Sequence, residues 1–307
     1  MSIVQDIRTA FSRRDNALIQ LIWLNVLVFA GLIVLRTILT ISSVGGYYPP
    51  VLRQLELSSG LPVLLRHPWT LLTYAFTHEG FFHILFNMLN LYWFGQLVRE
   101  YLGERRLVSI YILGALSGAV VFLLAYNLIP YFIPEPTGLF PAMVGASAAV
   151  TAIIVAAATL LPDYTFMLIL IGPVKIKWIA AVVVLISLAG VNGGNPGGNI
   201  AHLGGAFIGF MFIKQLQAGR DLGRPVQAVG NFFSNLANRR SVMRVSSSDS
   251  RRAEPVAAVS ASSGKKPAAS GQPLQDEIDL ILDKISRSGY ESLSKDEKQK
   301  LFRASQQ

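Results

Sequence analysis

The chain contains no cysteine, which removes disulfides, thiol catalysis and thiolate metal sites from consideration. Charge is also scarce. Only 15% of its 307 residues are Asp, Glu, Lys or Arg, whereas a soluble domain carries about 25%. Hydrophobic residues make up 52%, so lipid is the expected solvent. No internal repeat is visible. The first apolar run is too long for the core of a secretory signal and has no small-residue cleavage site near its end, so no signal peptide is expected.

Apolar runs of roughly 20 residues have the length a helix needs to cross a bilayer. Six are present: Ala17–Thr40, Phe81–Val98, Leu107–Ile129, Met143–Leu161, Trp178–Val191 and Ile200–Ile213. A further apolar piece, Tyr164–Ile171, is stopped by Gly172-Pro173 and Lys175/Lys177, and is expected to be re-entrant or interfacial rather than a seventh span. The net charge of +9 is unevenly placed. Arg8, Arg13 and Arg14 precede the first run; Arg99, Arg105 and Arg106 follow the second; Lys175 and Lys177 precede the fifth; Lys214, Arg220 and Arg224 follow the sixth. The loops 130–142 and 192–199 have no Lys or Arg. This alternation predicts six helices with both termini on the positive, cytoplasmic side. The basic charge sets orientation, and no nucleic-acid partner is expected.

Four regions follow: a cytoplasmic N-terminus 1–16, a six-helix core 17–213, a basic and then disordered linker 214–273, and a small tail 274–307. Residues 245–273 are rich in Ser, Ala and Pro without apolar periodicity. In the tail Leu274, Ile278, Ile281, Leu282 and Ile285 recur at helical spacing, Gly289 ends that helix, and Ser294-Lys-Asp-Glu297 is a capping box for a second. The tail is thus a helical hairpin, too short for an independent core.

The stretch "HEGFFHILFN", His78–Asn87, nearly spells the zinc signature H-E-x-x-H. That signature works because residues four apart share one helix face. His78 and His83 are five apart, and Gly80 places His78 ahead of the regular helix. Glu79 finds no acidic companion inside the spans, so no metal site is expected. His83 and Asn87, by contrast, are four apart and share a face.

Polar groups inside a membrane are costly and mark function. The second, fourth and sixth spans run in one direction, so their first residues lie at one depth. His83 and Asn87 open the second, Ser147 (in Val144-Gly145-Ala146-Ser147) opens the fourth, and His202 opens the sixth. Serine becomes a nucleophile when a base takes its proton. With no intramembrane carboxylate, a directly hydrogen-bonded Ser147–His202 dyad is the natural arrangement. Asn87 Nδ2, a His83 N–H and the Ser147 backbone N–H are available to an oxyanion. Small residues, Gly145 and Ala146 with Gly204, Gly205 and Gly209, allow the close helix packing such a dyad needs.

These motifs, Thr77-His78-xxxx-His83-xxx-Asn87, Gly145-x-Ser147 and Gly197-xxx-Ala201-His202-xx-Gly205-xxx-Gly209, resemble the rhomboid family of intramembrane serine proteases. The resemblance covers Ala17 to Ile213. It implies an all-α polytopic membrane protein, a six-transmembrane-helix bundle with a short cytoplasmic helical tail. It also implies that Ser147 is the nucleophile, His202 the base, His83 and Asn87 the oxyanion site, and His78 and Gly145 supporting residues. The implied substrates are transmembrane proteins in the lipid bilayer, cleaved near the outer face without metal or cofactor. The sequence departs from the family at Ala148, where Gly is common after the serine, at Thr151, where an aromatic often stacks under the base, and at Trp69-Thr70, where Trp-Arg is frequent. Two other functions compete: a non-catalytic relative that binds transmembrane helices as a chaperone or quality-control factor, and a transporter. Both reacting residues are retained, and the polar residues cluster at one end of the helices rather than at the midplane. The charge pattern leads to the expectation of a bacterial cytoplasmic membrane.

Overall fold

The computed structural model describes residues 16–133, 140–168, 171–237 and 292–304, with the single positions Gln5, Ile281, Lys284 and Ile285. The protein is mostly helical. Among the described residues, the long helices of its larger unit, Met1–Met243, are α1 (Ala17–Ile41), α2 (Phe81–Leu102), α3 (Glu104–Leu128), α4 (Ser147–Leu160), α5 (Ile176–Ala189), α6 (Pro196–Gln217) and α7 (Arg224–Ala237). Each of the six apolar runs therefore contains a helix. Among the described residues, α1 and α3 are long and apolar enough by themselves to cross a membrane. The 14-residue α4 and α5 reach only about 21 Å at 1.5 Å per residue.

The outer faces are what lipid requires. α5 exposes Val182, Leu185, Ile186 and Leu188, and α2 exposes Phe81, Phe82, Phe86 and Trp93. In water such faces would have to be covered. The inner helix is α4, whose sequence SAAVTAIIVAAATL is buried from Ala148 through Ile154. Small side chains let its neighbours approach to backbone contact. A methyl placed on Gly205 would overlap the Ala148 carbonyl, and one on Gly209 the Ala152 carbonyl. On the other side a methyl on Gly118 would lie 2.6 Å from the Ala148 methyl. Ala148, one of the departures noted above, thus fits because Gly118 and Gly205 leave room for it. Gly209→Ala is expected to cost about 1–3 kcal/mol by overpacking. A melting temperature in detergent equal to that of the wild type would show that α4 and α6 do not meet at this contact.

Buried polar groups tie the layers together. The Tyr74 hydroxyl donates to the Ala115 carbonyl (2.6 Å), that of Tyr111 to Ala75 (2.8 Å), and that of Ser117 to Gly204 (2.7 Å). At the basic end, Glu104 Oε2 accepts from the Leu18 amide and Arg106 pairs with Asp221 at 2.9 Å.

Three features go beyond the sequence expectations. Tyr164–Ile171, expected to be re-entrant or interfacial, contributes a strand: Thr165–Leu168 (β3) pairs antiparallel with Gly172–Lys175 (β4). Gly172 supplies a left-handed φ of 89° beside its turn. Lys175 and Lys177 both hydrogen-bond Asp163 and hold its carboxyl down at about 2, fixing the hairpin to the start of α5. Secondly, the long segment between α1 and α2 is ordered by short helices (Tyr48–Leu52, Leu61–Arg66, Thr70–Thr73) and by strand β1 (Leu57–Ser58), which pairs with β2 (Ala142–Met143) just before α4. Within it Trp69 Nε1 donates to the Gln54 carbonyl at 2.8 Å.

The third feature follows α6, where a basic linker was expected. α7 is a helix that leaves Val229, Phe232, Phe233 and Leu236 exposed along one face. Pro225, Gly230, Asn231 and Asn235 depress its helix propensity; the apolar spacing of three and four outweighs them.

The second unit spans Arg244–Gln307. Its described helix α8 (Lys295–Ala304) opens with the expected capping box: the Glu297 amide donates to Ser294 Oγ (3.3 Å), and Glu297 Oε2 accepts from the Ser294 amide (2.7 Å). The linker 245–273, and Leu274, Ile278, Leu282 and Gly289 of the tail, lie outside the described residues.

Candidate functional site

Three parallel helix starts define the site. α2 begins after Gly80, an extended residue that turns the chain, and brings His83 and Asn87 onto its first two turns. Asn87 Nδ2 donates to the His83 carbonyl at 2.8 Å, which fixes the amide and leaves its second hydrogen available. α4 begins at Ser147 itself, with no side-chain cap. The amides of Ser147, Ala148 and Ala149 therefore lack intrahelical acceptors, as the first amides of any helix do. α6 begins at Pro196, capped by Asn195 Oδ1 on the Gly198 amide (3.0 Å), and carries His202 on its second turn.

The turn into α4 is shaped by Gly145. Its φ of 122° is a conformation that side chains rarely adopt, and a methyl there would lie 2.6 Å from His83 Cε1 and Nε2. The Gly145 amide donates to the Tyr74 carbonyl at 2.8 Å, and the Ala146 amide to His78 Nε2 at 3.3 Å. His78 thus supports the turn that presents Ser147, and it does so while buried, at 1% exposure. Its ring meets that of His83 edge-on, with centroids 5.0 Å apart. Helical rotation would have driven the two apart, but His78 lies ahead of α2, where that rotation does not apply. Gly145 and His78 together explain why a serine at a helix start can be held open to a cavity.

That cavity has a volume of about 450 Å³ and opens to the surface. His83, Asn87, Ser147 and His202 all line it, beside Phe82, Phe86, Val150, Ile154, Val183 and Ile186. The four polar residues singled out in the sequence are therefore brought together at one end of the bundle. The direct Ser147–His202 hydrogen bond expected of a dyad is not formed. His202 Nδ1 instead meets Ser187 Oγ of α5 at 3.2 Å, and Nε2 has no hydrogen-bond partner among the described residues.

Thr151 replaces the stacking aromatic with a different contact, its hydroxyl donating to the Ser147 carbonyl at 2.7 Å. Sequence reasoning did not single out Ser187. Its signal is faint but present: it is the one hydroxyl in the apolar run 178–191. Asn199, which also lines the cavity, is tied by Nδ2 to the Gly190 and Asn195 carbonyls and serves the α5–α6 connection.

Comparison with known proteins places the chain in a family. Residues 65–217 match the rhomboid domain, and residues 272–307 match DUF6576, a family of unknown function. The chain is similar to RHOMBOID-like protein 12, mitochondrial, of Arabidopsis thaliana (32% identity over 159 residues, 49% of this chain and 47% of that protein). It is also similar to Rhomboid-like protein 16, chloroplastic, of the same plant (42% over 59 residues, 19% and 18%). A third relative is the Presenilin-associated rhomboid-like protein, mitochondrial, of Mus musculus (26% over 142 residues, 45% and 36%). The chain matches less than half the length of each of these relatives. Their names correct one expectation, that of a bacterial cytoplasmic membrane: the similarities point to mitochondrial and chloroplast membranes instead. The physical reason is that loop charge reports which way a protein faces, not which membrane holds it. With its rhomboid domain at 65–217, the chain belongs to the rhomboid family.

Proposed function

We propose that the protein is an intramembrane serine endopeptidase whose six helices α1–α6 all cross the bilayer, and that it cleaves transmembrane proteins at the level of Ser147. The observation that carries this function is the single cavity lined by Ser147, His202, His83 and Asn87 at the starts of three parallel helices. His202 Nε2 takes the proton of Ser147 Oγ as that oxygen attacks the scissile carbonyl. The oxyanion formed is met by the free Asn87 amide hydrogen, a His83 ring N–H and the uncapped amides at the start of α4. Donors fixed in place before the charge develops are worth most in a site shielded from bulk water. His202 then returns the proton to the leaving amine, and water reaching the open cavity hydrolyses the acyl-enzyme. His78 and Gly145 hold the turn.

The resting gap between Ser147 and His202 is compatible with this chemistry, because catalytic hydrogen bonds are often long before substrate binds. The same gap is what a non-catalytic helix-binding relative would show. A serine-directed fluorophosphonate separates the two. Labelling of the wild type that vanishes in Ser147→Ala is the expected result; an unlabelled wild type, or a Ser147→Ala protein labelled equally, favours the non-catalytic protein.

The mechanism also restricts the substrate. A helix in lipid satisfies its own backbone hydrogen bonds, and each bond opened there without a partner costs several kcal/mol. Substrates are expected to carry Gly or Pro near the end of the span level with Ser147, so that one turn unwinds into the cavity. Replacing that Gly or Pro by Leu in a single host span should suppress cleavage without impairing insertion. Equal cleavage of an all-Leu span would contradict unwinding as a requirement.

A further inference from the structure

We propose that Ser187 is a positioning residue that holds His202 in the tautomer protonated on Nδ1, so that a bare Nε2 faces Ser147. The inference follows from counting one proton. Ser187 Oγ lies 2.9 Å from the Val183 carbonyl, four residues back on the same helix. A carbonyl only accepts, so the hydroxyl's single hydrogen is committed there. The same oxygen lies 3.2 Å from His202 Nδ1, and it meets that nitrogen with lone pairs. The contact is attractive only when Nδ1 carries the hydrogen. In a neutral imidazole the other nitrogen is then the acceptor, and the hydrogen bond made by one nitrogen sets the role of the other.

A base for Ser147 needs that lone pair on Nε2. The opposite tautomer would point an N–H at the serine oxygen and have nothing with which to take its proton. Ser187 is well suited to the task because it is 3% exposed and its hydroxyl donates to the Val183 carbonyl. Two helices therefore contribute to one base, α6 the imidazole and α5 the group that orients it. When Nε2 accepts the proton of Ser147, the Nδ1 hydrogen stays in place, and the Ser187 oxygen stabilises the imidazolium that results. No carboxylate is needed to fix the tautomer.

The catalytic consequence rests on the protease function proposed above; the tautomer does not, and the test uses this. The full chain, carrying ¹⁵N-labelled imidazoles, is placed in lipid nanodiscs. Its four histidines give few signals, and those of His202 are identified by their loss in His202→Gln. In the wild type, one-bond ¹⁵N–¹H coupling is expected on Nδ1 of His202 and not on Nε2. Ser187→Ala should mix the tautomers and lower kcat by about 10-fold, the worth of one hydrogen bond, with KM changed less than twofold. Ser187→Thr, which keeps the hydroxyl, should restore both. A wild type protonated on Nε2 overturns the proposal without needing any variant to fold, as does a Ser187→Ala protein with unchanged tautomer and kcat. A wild type that carries the Nδ1 hydrogen, loses it in Ser187→Ala and yet cleaves nothing sustains the role of Ser187 and overturns the protease function alone.

Discussion

Replacing Ser147 or His202 by Ala is expected to lower turnover of a transmembrane substrate by on the order of 10⁴-fold, the scale seen when a serine hydrolase loses its base or its orientation. The double replacement should be no worse than either single one. A nucleophile and its base act as a unit, so removing the second after the first takes away nothing further. Both side chains sit at helix starts on a cavity wall rather than in the packed centre of α4, so the variants should keep the melting temperature of the wild type in detergent. Losses that add, or a His202→Ala protein with near-normal turnover, would mean that these residues do not react together.

Asn87→Ala is expected to lower kcat by about 10²–10³-fold, the cost of one missing oxyanion donor, with little change in KM. Its amide is positioned by the bond to the His83 carbonyl, so the donor is ready before substrate arrives. In the proposed mechanism the amide meets the oxyanion rather than the ground-state carbonyl, so the loss should appear in turnover and not in binding. The reverse split, a raised KM at unchanged kcat, would place Asn87 in substrate binding and leave the oxyanion to the helix-start amides and His83.

Much of this site is legible in the sequence because a membrane makes polar residues conspicuous. His83, Asn87, Ser147 and His202 stand out in apolar runs, and alternating loop charge gives their helices one direction; together these place the four residues at one end of the bundle. The structure puts them on one cavity. What was not legible depends on contacts between distant segments. Ser187 looks like any packing serine until α5 lies against α6. The β1–β2 pairing joins two residues near position 57 to two near 142, too short a run for any alternation to show. The β3–β4 hairpin hides within an apolar stretch that has no period of two. His78 entered only as a supporting residue implied by resemblance; that it accepts the Ala146 amide across 68 positions of sequence shows only once the chain is folded. The α7 helix was obscured by Gly230, Pro225 and its asparagines, residues that argue against a helix locally but do not prevent one that has an amphipathic face.

Cleavage of an intact transmembrane substrate by the purified full-length chain in liposomes, with both product ends read by mass spectrometry, tests the central claim most directly. The predicted result is one principal cut within the substrate's span, at the end level with the starts of α2, α4 and α6, present with the wild type and absent with Ser147→Ala. A cut at the basic end of the bundle, or the same products from Ser147→Ala, would contradict it.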